Sequence, residues 1–156
     1  MRYRKKSADI EMRRQMICVV AMALLSTQAA AGQELSAVLY KNPSCTCCDA
    51  YADYLRSNGL KVKVVEHSNM TLIKQQYGVS KDVEGCHSTV IGNYVIEGHV
   101  PFLTIKKMLS DKPAIKGISL PGMPAGSPGM GGAKQGPFNI LSITNSNEPT
   151  AVFATE

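Results

Sequence analysis

Hydrophobic positions change period repeatedly along the chain, and the changes mark out an ordered set of elements. Ser36-Ala37-Val38-Leu39-Tyr40 reads as a short apolar strand, and Lys41-Asn42-Pro43-Ser44 is turn chemistry that also offers helix caps. A helix over about Cys45 to Ser57 follows, with Cys48, Tyr51, Ala52 and Leu55 on one face and Asn58-Gly59 as its stop. Leu60 to Glu66 alternates as a second strand. Ser68 or Asn69 can cap a short helix through Tyr77, closed by Gly78. After a polar loop from Ser80 to Gly85 comes Cys86-His87, then Thr89-Val90-Ile91 and Tyr94-Val95-Ile96 joined by Gly92-Asn93. Two β-branched runs about such a dipeptide predict a hairpin. Gly98-His99-Val100-Pro101 leads into a helix from Pro101 to about Ser110, with Pro in the first turn.

The order strand, helix, strand, helix, hairpin, helix predicts an α/β, thioredoxin-like mixed sheet with flanking helices. Residues 117–137 hold 11 Gly or Pro among 21 positions and are expected to be a flexible Gly/Pro/Met-rich loop without regular structure. Phe138 to Thr144 and Thr150 to Ala154, about Asn145-Ser146-Asn147, predict a C-terminal β-hairpin on the sheet edge.

The N-terminus belongs to another class of segment. Arg2, Arg4, Lys5, Lys6, Arg13 and Arg14 precede a short apolar run from Met16 to Leu25, and Ala29-Ala30-Ala31 has the small-residue pattern of a signal peptidase site. Residues 1–31 are therefore read as a cleaved signal peptide, with Met12 as an alternative start, and residues 32–156 as a single metal-binding domain of a periplasmic protein. The apolar run is roughly half the ~20 residues that a membrane span needs, so no stable span is expected after cleavage. Cys18 lies inside the run and leaves with it. The whole chain carries a formal +5, but residues 32–156 hold 11 Lys/Arg against 10 Asp/Glu. The basic balance belongs to the leader, and no patch remains that argues for nucleic acid.

The remaining four cysteines carry the chemistry. Cys45, Cys47 and Cys48 sit where the first strand gives way to a helix. A strand-helix-strand crossover makes the first two strands parallel, so both end at the same sheet edge. If the first hairpin strand runs antiparallel to them, Cys86 and His87 begin it at that edge. Cys45, Cys47, Cys48, Cys86 and His87 then converge, while His99 can be either a ligand or a solvated loop residue. His67 lies farther out and reads as a surface residue. Thiolate and imidazole suit Cu(I), Zn or an iron-sulfur cluster and do not suit Mg or Ca. A helix N-terminus also favours thiolates, with Asp49 opposing slightly.

Three readings stand on these residues alone. Cys45-x-x-Cys48 has the spacing of a thiol-disulfide oxidoreductase, although Cys47 would offer a third thiol to each disulfide intermediate. A structural disulfide, or a zinc site of four cysteines or of three with one histidine, are the bland alternatives. Met123 and Met130 read as linker residues, with thioether capture of Cu(I) as the functional alternative.

Cys45-Thr46-Cys47-Cys48, Gly85-Cys86-His87-Ser88-Thr89-Val90, Tyr94-Val95-Ile96-Glu97-Gly98-His99-Val100-Pro101 and the stretch from Pro121 to Met130 together resemble the CopG-type periplasmic copper-resistance proteins, over about residues 36–130. The resemblance implies a thioredoxin-like domain that binds copper, with a multinuclear thiolate cluster as one form, and that interconverts Cu(I) and Cu(II). An activity as a copper oxidoreductase would follow. By position it implies Cys45, Cys47, Cys48, Cys86 and His87 as ligands, with His99, Met123 and Met130 as further candidates. It favours the two methionines as ligands over the linker reading. The expected partners are copper ions and periplasmic copper transport or resistance proteins. Tyr51 and Tyr54 stand where the family usually has Trp and then His, which would remove one nitrogen from the site if that histidine serves copper.

Overall fold

The computed structural model describes residues 34–144 and 150–156; the expected signal peptide and the Asn145-Ser146-Asn147 turn lie outside them. Seven strands form one mixed sheet: β1 (Ser36–Lys41), β2 (Lys61–Glu66), β3 (His87–Ile91), β4 (Tyr94–Gly98), β5 (Gly117–Leu120), β6 (Asn139–Ile143) and β7 (Val152–Thr155). Their order across the sheet is β2-β1-β3-β4-β5-β6-β7. Among the described residues the helices are α1 (Thr46–Ser57), α2 (Met70–Gln76) and α3 (Phe102–Asp111), with a 3-10 turn at Lys81–Val83. Among the described residues no helix is long and apolar enough to cross a membrane.

Alternation along the strands divides the sheet into two packed faces. Ile96 and Ile140 face a large core with Cys48, Tyr51, Ala52 and Leu55 of α1 and Ile105 and Met108 of α3. Their sequence neighbours Val95 and Leu141 pack on the other face with Val79, Val83 and Ile143. The expected face of α1 is thus its buried face.

Register fixes the site. β1 runs parallel to β2, with Lys41 opposite Glu66. β3 runs antiparallel to β1 and sets His87 opposite Lys41. The start of β3 therefore lies beside the end of β1, at the edge where α1 begins, as the antiparallel alternative required. β3 and β4 form the expected hairpin about Gly92-Asn93. The C-terminal hairpin is likewise present, as antiparallel β6 and β7.

Two expectations are corrected. Gly117 begins a strand instead of an irregular loop, and β5 lies inside the sheet, parallel to β4 and antiparallel to β6. A Cβ at Gly117 would sit 1.7 Å from the Val95 carbonyl oxygen, so the absence of a side chain permits this pairing. The β1–α1 turn also does not cap the helix with Asn42 or Ser44. Asn42 Oδ1 instead accepts from Ser44 N (3.1 Å) and Ser44 Oγ (2.7 Å), while Cys45 takes the N-cap position without a side-chain cap bond.

Candidate metal centre

The site forms because two chain segments approach more closely than side chains normally allow. A Cβ at Gly85 would meet Gly98 N at 2.5 Å, and one at Gly98 would meet the Leu120 carbonyl oxygen at 2.5 Å. Gly98 also has a left-handed φ of 69°. The glycines bring Cys86-His87, at the start of β3, against His99, just past β4. From the other side, the β1–α1 turn supplies Cys45, Cys47 and Cys48. Lys41 anchors that turn, its buried Nζ donating to the Cys45 carbonyl (3.2 Å) and to Asp49 Oδ2 (2.6 Å). Asp49, which opposes thiolate formation, is thereby paired with a cation.

Two donor groups result, and they share Cys86. One is the four sulfurs of Cys45, Cys47, Cys48 and Cys86; the other is Cys86 with His87 and His99. Cys45 and Cys48 are joined as a disulfide, whereas Cys47 and Cys86 are free thiols. The four sulfurs are therefore two thiols and one reducible pair, the latter at the Cys45-x-x-Cys48 spacing. Cys47 Sγ lies 3.5 Å from Cys45 Sγ, and Cys86 Sγ lies 3.7 Å from Cys48 Sγ. Cys86 Sγ is also 3.2 Å from His87 Nδ1 and 3.4 Å from His99 Nε2.

The histidines are arranged as neutral donors. His99 Nδ1 donates to the Pro128 carbonyl at 2.6 Å, so that nitrogen carries the proton and the Nε2 lone pair is left toward Cys86. Burial holds the His99 imidazole below its usual range. His87 is lowered well below that range by burial, then by His99 and Lys74, and its Nε2 is buried without a hydrogen-bond partner. Burial, reinforced by Cys47, pushes the Cys86 thiol up to about 12. A soft cation that replaced the Cys86 proton would relieve this cost, because its charge offsets that of the thiolate.

Sequence reasoning missed several supporting groups. The buried Tyr51 ring packs against both imidazoles, at centroid distances of 4.7 Å to His87 and 5.1 Å to His99, and its hydroxyl donates to the Val100 carbonyl at 2.8 Å. Tyr54 Oη accepts from Phe102 N at 2.8 Å, which ties α1 to the start of α3. Both tyrosines were visible as departures from the family pattern, but their contacts were not. On the opposite face, Glu97 accepts from Lys74 Nζ and from Gly85 N (2.9 Å), bracing the segment that presents Cys86. Nothing in the sequence pattern marked that pair.

The Gly/Pro/Met loop seats on the site through its middle. Ser127 is buried, the Pro128 carbonyl accepts the hydrogen bond from His99 Nδ1, and a Cβ on Gly129 would lie 2.8 Å from Tyr51 N. Met130 follows and is half-buried; Met123 is exposed, with a left-handed φ of 46°. Their assignment as ligands rests on the resemblance. His67 stands apart, its Nδ1 bonded to the Asn69 carbonyl at 2.8 Å.

The comparisons with known proteins point the same way. The family described as protein of unknown function DUF411 matches residues 83–130, from the approach to Cys86 through Met130. No curated protein matches the chain. Two solved structures, forms 2 and 1 of copper resistance protein CopG, superpose with TM-scores of 0.72 each. They are 32% and 33% identical, cover 80% of this chain in both cases, and are themselves covered over 99% and 98% of their lengths. The likeness thus runs through sequence and fold over nearly the whole of those proteins, and the chain belongs to the CopG family of copper resistance proteins.

Proposed function

We propose that this protein is an exported, periplasmic copper-binding protein of copper resistance, which holds its cargo in the Cys/His site and interconverts Cu(I) and Cu(II). The observation that carries the reading is Cys86: a single sulfur belongs both to a four-sulfur group and to a group with two imidazoles. Thiolates stabilise Cu(I), whereas imidazole accepts Cu(II), so adjoining groups that share a ligand can serve either state. The same arrangement suits more than one copper ion. Reduced protein lacking residues 1–31 is expected to withdraw Cu(I) stoichiometrically from a chromophoric chelator, and a triple Cys45→Ser, Cys47→Ser, Cys48→Ser variant to lose most of that capacity. Unchanged uptake by the variant would sink the proposal.

The loop gives a further prediction. Gly129→Ala should push the loop off Tyr51, because φ there is 77° and the new Cβ collides with backbone. The Pro128–His99 bond would weaken, and Cu(I) affinity should fall about 10-fold, the lower range for losing a partner that orients a ligand. Nitrogen-detected NMR of the His99 ring should show the fixed Nδ1–H form giving way to a tautomer mixture.

A second reading has its own observation. The Cys45–Cys48 disulfide stands at the N-terminus of α1, with Cys45 half-exposed and Cys48 buried, as a thiol-disulfide oxidoreductase would require. Metal-free protein would then reduce insulin, and Cys48→Ser would abolish the activity.

A further inference from the structure

The disulfide and the nitrogen-bearing group share no atom, and this separation suggests where the electrons for copper chemistry reside. Cys45 and Cys48 are joined to each other, while Cys86, a free thiol, stands against His87 and His99. Forming the disulfide removes two sulfurs from the four-sulfur group and none from the other. Cys48 Sγ is nevertheless only 3.7 Å from Cys86 Sγ, so a copper ion on Cys86 would lie within direct reach of the pair.

We propose that the Cys45/Cys48 pair is a built-in two-electron reservoir that reduces Cu(II) held at Cys86, His87 and His99. The inference rests on the copper-binding reading above. In the step, the Cys45 and Cys48 thiols give up two electrons and two protons, and one S–S bond forms as two S–H bonds break. Two cupric ions accept one electron each and become cuprous, and the protons pass to water. Cys47 and Cys86 remain as thiolate donors for the Cu(I) produced. Resetting requires a reduced dithiol from an external thiol-disulfide partner, whose thiolate attacks one sulfur, forms a mixed disulfide and is itself oxidised. Cys45 is half-exposed and Cys48 fully buried, so attack falls on Cys45.

Free thiols in general reduce cupric ions; the proposal is specific about which sulfurs become paired. Reduced protein without residues 1–31 is mixed anaerobically with a cupric salt. Cu(I) is read with bicinchoninate, and disulfides are mapped by alkylation and peptide mass spectrometry. The expected result is two Cu(I) per disulfide, with the disulfide at Cys45–Cys48, and a Cu(I) yield in Cys45→Ser and Cys48→Ser that falls well below the parent's. Cys45 is half-exposed, so its replacement tests chemistry more than folding. An undiminished yield in Cys45→Ser, or a disulfide mapping to another pair or between molecules, would overturn the proposal. A direct Cu(I) titration separates the two readings. Protein that binds Cu(I) but does not reduce Cu(II) through this pair sinks only the reservoir, whereas protein that binds no Cu(I) sinks the copper reading itself.

Discussion

Cys86→Ser is expected to lower Cu(I) affinity by more than about 100-fold, beyond the ~10–100-fold typical of losing a group that only orients a ligand. Cys86 is the one residue common to both donor groups, so its loss leaves the cysteine cluster with fewer sulfurs and the two imidazoles with no soft partner. Serine replaces a polarisable thiolate with a hydroxyl that stays protonated and binds Cu(I) weakly. Cys86 is only half-buried, and the strand it precedes is held by backbone pairing to β1 and β4, so the fold should survive. Competition against a chromophoric Cu(I) ligand, with circular dichroism as the folding control, measures the effect. An affinity within a few-fold of the parent would remove Cys86 from the ligand set.

Lys74→Met should destabilise the protein by about 3–5 kcal/mol, the usual cost of leaving one member of a buried ion pair without its partner. Glu97 is fully buried and Lys74 is 6% exposed. Burial raises the Glu97 carboxyl above its usual range, and Lys74 acts against that rise. With Lys74 gone, the Glu97 carboxyl rises further. The sign follows from proton linkage: a native state that binds its proton more tightly than the unfolded chain loses stability as pH increases through that window. The Lys74→Met penalty should therefore be largest at neutral pH and shrink on acidification, as Glu97 takes up a proton. The double variant Lys74→Met, Glu97→Leu removes both charges and should recover much of the loss. Urea unfolding at two pH values reads both effects; a penalty independent of pH would show that the Glu97 charge is not its source.

The sequence carried the element order well because each element has its own period, and because turn residues such as Gly92-Asn93 and Asn58-Gly59 stand between them. It also placed Cys86 and His87 beside the first cysteine cluster on the condition that the first hairpin strand runs antiparallel to β1, which is the direction β3 takes. β5 was hidden because four residues, Gly117-Ile118-Ser119-Leu120, are too few to show a period and adjoin a Gly/Pro-rich stretch. What makes them a strand is the close passage of Gly117 over the Val95 carbonyl, a contact 22 positions away. His99 was undecided for a similar reason: its tautomer is set by the carbonyl of Pro128, 29 residues downstream. Lys74 on a short helix reads as a solvated lysine until the sheet face opposite it is known to carry Glu97. Local pattern reveals elements and their edges, but not which distant backbone carbonyl or carboxylate will face them.

In the proposed function, copper is held by sulfur and imidazole together, with Cys86 as the shared donor. X-ray absorption at the copper edge, on reduced Cu(I)-loaded protein and on the His87→Ala, His99→Ala double variant, tests it most directly. Sulfur scattering is expected in both samples, and the outer-shell signature of imidazole in the parent alone. Spectra that are identical in the two samples and contain sulfur only would contradict it.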